Sequence, residues 1–338
     1  VTVKELTAQK NRDVEEMSES TLSPLDTSRV SDLNLFGKNV EKPKRILETL
    51  GNALLRGDKT MPANILLAGA PATAKTDLAL MVARIGNVSA FQMLSPKGGI
   101  VGETERKARL QQIALKEWSP NIAFVDEITE AFPLERNDFD GDSGASRAVM
   151  ASLLTALSDE TRRGKSLLIA TTNCPWRMGA AMRSRFTIIP VLQSLKADFA
   201  GIIAVTAKSI SPASQINETH ERVKAAAEIF YQKGANPRHI RACLSNVLML
   251  NNTSVLSPDL ILFAAQDFCA ATDLNSAIYA DLWAIEACSS KSFLPWTENL
   301  ESYPFPEYLR DIVDVQTGNI NQKVLTQRLE EFRPNANL

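Results

Sequence analysis

Asn64 to Thr76 reads NILLAGAPATAKT: an apolar run, then Gly69, then a short loop, then Lys75-Thr76 opening a helical pattern. A continuous apolar run of this length is a strand covered on both faces, and Thr76 to Ile85 has helical spacing and length. A strand that turns through glycine into such a helix has the chemistry of a phosphate cradle. Backbone N–H groups and a helix N-terminus face phosphate oxygens, a lysine reaches the terminal phosphates, and a hydroxyl binds Mg²⁺. Lys75 and Thr76 take the last two roles, and Gly69, Ala70, Pro71, Ala72, Thr73 and Ala74 supply the loop. The strict pattern G-x-x-x-x-G-K-[ST] is broken, because Ala74 replaces its second glycine and Ala72 another common one. Alanine suits a residue entering a helix if φ is negative at Ala74; a positive φ at Ala72 is harder to accommodate.

Outward from this loop, apolar runs alternate with helical patterns across residues 31–192: SAFQMLS from Ser89, NIAFVDE from Asn121, SLLIATTN from Ser166 and FTIIPVL from Phe186. Glu103 to Trp118 and Ala145 to Leu157 have helical spacing. The alternation predicts an α/β domain with a doubly wound parallel sheet. After Gln193 the strand signals fade. Lys196 to Lys208, Glu218 to Lys233, Pro237 to Leu250, Pro258 to Ala271 and Asn275 to Cys288 read as helices, so residues 193–290 form a smaller all-helical domain. Residues 1–30 are polar and carry no sustained period, a tail or docking arm without structure. In the extension 291–338, SFLPWTENLESYPFPEYL from Ser292 reads as an extended segment packed on a surface, followed by a polar helix near Gln322 to Phe332.

The 338 residues suit one large α/β domain and a smaller one. A net charge of −2 gives no overall bias toward nucleic acid or anionic lipid. The four cysteines, Cys174, Cys243, Cys269 and Cys288, are scattered, make no C-x-x-C pair and accompany two histidines, so neither a disulfide framework nor a zinc site is indicated. No apolar run approaches the roughly 20 residues that span a bilayer, and a reducing cytoplasm fits the chain.

NIAFVDEI ends a strand in adjacent carboxylates. Asp126 there falls near the water shell of a Mg²⁺ ion, and Glu127 can polarise an attacking water. SLLIATTN ends at Asn173, a neutral amide able to orient that water or touch a γ-phosphate. The acidic stretch ERNDFDGDSGASR from Glu135 is spaced somewhat like a calcium loop. However, Val149 stands at the twelfth position from Asp138, where a bidentate glutamate belongs, so it reads as a solvated loop.

Lys75, Asp126 and Asn173 occur in one order at spacings that fit a strand and its crossover. Together they resemble the Walker A, Walker B and sensor 1 elements of AAA+ ATPases over roughly residues 31–250. The resemblance implies a P-loop NTPase sheet with an all-helical lid, ATP and Mg²⁺ as cofactors, and ATP hydrolysis. MRSRF at Met182 to Phe186 is similar to the arginine-finger segment, giving Arg185, with Arg183 as the alternative, a role on a neighbouring subunit's nucleotide. Ala235-Asn-Pro-Arg238-His-Ile resembles the start of a sensor 2 helix, and Leu35-Phe36-Gly37 the apolar-Gly element that contacts adenine. Gly98 to Arg106 resembles a first pore loop, with Ile100 where polypeptide-threading relatives carry an aromatic. The phosphate loop, MRSRF and the Asn-Pro-Arg turn look like MoxR-type and minichromosome-maintenance-type ATPases, whereas Gly102 to Arg109 looks like the protein-remodelling AAA subgroup. These features imply a homo-oligomer, a hexameric ring, that remodels a protein or protein complex in the manner of a chaperone. The alternatives are a DNA-associated regulator and a nucleotide-gated assembly scaffold with little turnover.

Overall fold

The computed structural model describes residues 3–27, 35–96, 103–132, 143–271 and 273–333. They divide into two compact units. The first holds Val1–Val30, Arg45–Ala68 and Thr76–Ile189; the second holds Ser31–Lys44, Gly69–Lys75 and Pro190–Leu338.

In chain order the first part of the protein runs α1 (Val3–Met17), β1 (Leu22–Pro24), α2 (Lys38–Leu55), β2 (Asn64–Ala68), α3 (Lys75–Gly86), β3 (Ser89–Met93), α4 (Glu103–Glu117), β4 (Asn121–Val125), α5 (Ile128–Ala131), α6 (Ser143–Leu157), β5 (Ser166–Thr172), α7 (Ala180–Arg183) and β6 (Thr187–Pro190). The strands form one sheet in the order β1-β3-β4-β5-β2-β6. β2 pairs with β5, β5 with β4 and β4 with β3, all parallel. Every residue of β2, β4 and β5 is buried, which is why these strands read as unbroken apolar runs rather than as alternating ones. The sheet order, not the sequence order, makes β2, β4 and β5 neighbours and so gathers their C-terminal ends.

The N-terminal residues depart from the unstructured tail expected of them. α1 is helical, and β1 adds to the sheet edge antiparallel to β3, with Leu22 opposite Met93. Gln111 on α4 donates to the carbonyls of Thr21 (2.9 Å) and Leu94 (3.1 Å), tying both edge segments to the helix. Arg106 pairs with Glu19. The apolar contribution is sparse in sequence, chiefly Val14 and Leu22, both fully buried. Tertiary contact rather than local periodicity orders the segment.

The second unit continues with α8 (Phe199–Ile210), α9 (Glu221–Gln232), α10 (Pro237–Leu250), α11 (Pro258–Asp267), α12 (Leu274–Glu286) and α13 (Gln322–Glu331). α9 shows why these residues are helical: Val223, Ala226, Ala227 and Phe230 recur at i, i+3, i+4 and i+7 and are all buried. They pack with Ile203, Ile240, Leu244 and Ile261 from α8, α10 and α11. Asn236 starts α10 with a reciprocal cap. Its side chain accepts from His239 N at 3.0 Å, His239 Nδ1 accepts from Asn236 N at 3.3 Å, and Pro237 opens the helix.

The proline-aromatic stretch after Ser292 is not the extended segment its composition suggests. It folds through 3₁₀ turns at Lys291–Phe293, Leu300–Ser302 and Glu307–Leu309. Trp296 is fully buried against Tyr303 and Phe305, and its Nε1 donates to Gly318 O at 3.1 Å. The aromatics close on one another, so the segment has a small core of its own.

Candidate functional site

The end of β4 carries Asp126 and Glu127, as the sequence suggests, but the local backbone is unusual. Glu127 adopts φ 45, ψ 69 at the start of α5, a left-handed conformation costing a non-glycine residue about 1–2 kcal/mol. Side-chain contacts hold it there. Its Oε1 lies 2.8 Å from Thr129 Oγ1 and 3.0 Å from Thr172 Oγ1, and Asn173 N donates to both carboxylate oxygens at 2.9 Å. Thr171 bridges the pair of acids: its hydroxyl donates to Asp126 Oδ1 at 2.7 Å and accepts from Glu127 N at 3.0 Å. Thr76, in the first turn of α3, donates to the same Asp126 oxygen at 3.3 Å.

Thr76, the adjacent pair Asp126 and Glu127, and Asn173 come from three separate stretches of the chain and are thus brought together at the ends of parallel strands. Asn173 meets Glu127 through its main chain. Thr129, Thr171 and Thr172 were not singled out from sequence, although Thr171 and Thr172 directly precede Asn173. Two hydroxyls closing a strand beside two carboxylates were the signal available.

Arg185 lies elsewhere in the first unit. Its Nε donates to Ser158 Oγ at 2.9 Å and its Nη1 to Ala181 O at 2.5 Å. It borders a groove between α4 and α6 that also contains Arg109, Thr155 and Asp159. The Lys116 ammonium, 2.7 Å from Asp159, and then Thr161 hold the Asp159 carboxyl down to about 2.

In the second unit the loop Gly69–Lys75 is tightly made. A Cβ on Gly69, at φ 152, would fall 2.1 Å from Val191 O, so only glycine permits that close approach. Ala72 and Ala74 have φ values of 62 and 65, so Ala74 does not take the negative φ that would make alanine natural there. Lys75, nearly fully buried, donates from Nζ to Gly69 O at 2.9 Å, Ala70 O at 2.6 Å and Thr73 Oγ1 at 3.3 Å. Thr73 Oγ1 also donates to Ala70 O at 3.0 Å.

Gly37, at φ 115, likewise admits no side chain: a Cβ would sit 2.7 Å from Asn39 Oδ1 and 3.2 Å from Asp198 Oδ2. Arg238 stands exposed in the first turn of α10. Ile100, in the stretch that resembles a pore loop, and the acidic stretch around Asp138 lie outside the described residues.

A charged group that sequence reasoning passed over sits in α12. Asp281 is fully buried and accepts from Ala70 N at 3.2 Å, Gln193 N at 3.0 Å, Gln193 Nε2 at 3.3 Å and Tyr308 Oη at 2.7 Å. Burial raises its carboxyl above the ordinary range, while the donors from Gln193, Tyr308 and Ala70 pull it back.

Residues 65–193, from β2 past β6, match the sequence pattern of the family described as ATPase family associated with various cellular activities (AAA). Over these residues the chain is similar to AAA+ ATPases. The ATPase family gene 2 protein of Saccharomyces cerevisiae is 35% identical over 124 residues, covering 36% of this chain and 16% of the yeast protein. The chain therefore spans only a small share of the length of the curated relatives it matches. Among solved structures, the FIGL-1 AAA domain in complex with ADP superposes with a TM-score of 0.62 at 19% identity, covering 83% of this chain and 98% of that one. A structure described under katanin self-assembly superposes with a TM-score of 0.56 at 17% identity, covering 80% and 96%. At such identities the likeness is one of fold, a AAA sheet followed by helices. Among the described residues, no helix is long and apolar enough to cross a membrane.

Proposed function

We propose that this chain is a AAA+ ATPase that binds ATP with Mg²⁺, hydrolyses it within an oligomer of several copies, and uses the cycle to remodel a protein or protein complex. The observation that carries the proposal is the strand-end cluster. Asp126 shares one oxygen with Thr76 and Thr171, while the adjacent Glu127 is held in a left-handed turn with its carboxylate fixed by Thr129, Thr172 and Asn173. Two neighbouring carboxylates with separate partners divide metal holding from base work.

The Thr76 hydroxyl and the Asp126 carboxylate are 3.3 Å apart and offer hard oxygen donors, the ligand chemistry that Mg²⁺ prefers. Mg²⁺, when bound, neutralises charge on phosphate oxygens. Gly69, Ala70, Pro71, Ala72, Thr73 and Ala74 then supply the phosphate cradle, with Lys75 as its cation and Gly37 beside the base. Glu127 takes a proton from the attacking water, Asn173 orients that water, Arg238 reports the γ-phosphate from the helical part, and Arg185 acts on the nucleotide of a neighbouring copy. The finger requires more than one copy, and a hexameric ring in the cytoplasm is the arrangement we favour. The self-assembly ascribed to the katanin neighbour and the ADP bound by the FIGL-1 domain agree with this reading.

A second reading, nucleotide binding with little turnover, rests on the two left-handed alanines of the loop. ATP hydrolysis measured against protein concentration for the wild type, Glu127→Gln and Arg185→Ala separates the two. Turnover that rises with assembly and falls about 10²–10⁴-fold for Glu127→Gln and about 10³-fold or more for Arg185→Ala supports the motor. ATP binding without wild-type turnover overturns it in favour of the scaffold.

A further inference from the structure

We infer that Asp281 is a positioning residue for the phosphate loop, and that Tyr308 holds Asp281 in place for that task. A buried carboxylate whose hydrogen-bond donors are all neutral carries a desolvation cost that an apolar or amide side chain in α12 would not. A carboxylate offers what those cannot: acceptors alone, able to collect several donors converging from different segments.

The donors at Asp281 come from the loop (Ala70 N–H), from the segment after β6 (the main chain and side chain of Gln193), and from the C-terminal 3₁₀ turn (Tyr308 O–H). Ala70 is consequently held on both sides. Its N–H is bound by Asp281, and its carbonyl accepts from Lys75 Nζ at 2.6 Å and Thr73 Oγ1 at 3.0 Å. The connection runs Tyr308 to Asp281 to Ala70 to Lys75. Tyr308 also lines, with Pro71, Ala72, Thr73 and Gln193, a cavity of about 460 Å³, so the C-terminal segment and the loop wall one space.

The inference rests on the reading that this loop binds nucleotide phosphates, but its first test does not require nucleotide. Hydrogen–deuterium exchange of the peptide spanning residues 69–76 is compared in the full chain for the wild type, Asp281→Asn, Tyr308→Phe and Leu282→Ala. The last variant loosens the same helix without removing any of these hydrogen bonds. Asp281→Asn sets an amide N–H against a donor, and loop exchange rises about tenfold, in proportion to a lost buried hydrogen bond. Tyr308→Phe raises it about threefold, and carries the test should the first variant not fold. Leu282→Ala, at a comparable loss of melting temperature, changes it less than twofold.

Affinity for ADP, titrated on the same samples, weakens in the same order. Unchanged loop exchange in both Asp281→Asn and Tyr308→Phe, or an equal rise in Leu282→Ala, overturns the inference. Raised loop exchange in a protein that binds no ADP even as wild type upholds the Asp281 link and instead overturns the nucleotide reading.

Discussion

The strand-end acids of the first unit and the Gly69–Lys75 loop of the second both contain non-glycine residues in left-handed conformations, but they hold them in different ways. Glu127 is held through its own side chain, whose two oxygens collect donors from Thr129, Thr172 and Asn173. Ala72 and Ala74 have no polar side chain, so their turns are held by the loop around them. Lys75 reaches back to the carbonyls of Gly69 and Ala70, and Asp281 takes the N–H of Ala70. At Glu127 one set of hydrogen bonds fixes both the left-handed backbone and the carboxylate. In the loop the conformation of the two alanines is fixed by other residues.

The largest effect that could break this comparison comes from Thr171. Thr171→Val removes the hydroxyl that bridges Asp126 Oδ1 and Glu127 N, and should cost about 1–3 kcal/mol through an unsatisfied N–H. Denaturant unfolding measures the loss, and Thr171→Ser should recover most of it. A neutral Thr171→Val would mean that Glu127 keeps its turn without the bridge.

A smaller effect of opposite sign is expected in the loop. Glycine at Ala72 and Ala74 relieves about 1–2 kcal/mol of left-handed strain per position, partly offset by about 0.4–1 kcal/mol of extra freedom in the unfolded chain. Ala72→Gly with Ala74→Gly should therefore raise the unfolding free energy by about 1–2 kcal/mol. A loss instead would show that the two methyl groups pack favourably enough to outweigh their backbone cost.

The smallest effect concerns the two buried or half-buried aspartates, whose carboxyls are shifted in opposite directions. Lys116 holds Asp159 down to about 2, so its contribution is present above the unfolded value of about 4 and is lost as pH falls toward 2. Lys116 is half exposed, and solvent screening limits the pair to about 0.5–1 kcal/mol. Asp159→Asn should remove that share at pH 7 and flatten the loss of stability between pH 4 and 2, read by thermal unfolding across pH. Asp281 has the other sign: burial raises its carboxyl, so the ionised form is penalised by folding and acid relieves that penalty.

The sequence alone determined the sheet's five apolar strands, the helices that follow Gln193 and the position of Asp126 and Glu127 at a strand end. Those features depend on neighbours in the chain: apolar runs buried on both faces, helical spacing, and residue types whose chemistry is intrinsic. The tertiary structure decided the rest. β1 and α1 are ordered by contact with β3 and α4, not by their own periodicity. The aromatics after Ser292 fold into a core around Trp296 because they can bury one another. Thr129, Thr171 and Thr172 acquire their roles only when parallel pairing sets β4 beside β5. Asp281 is an ordinary aspartate in a helix until the fold removes water from it and brings Ala70, Gln193 and Tyr308 to its oxygens. A hydrogen bond between residues 211 positions apart leaves no local periodicity, and its strength comes from a desolvation that only the folded chain creates.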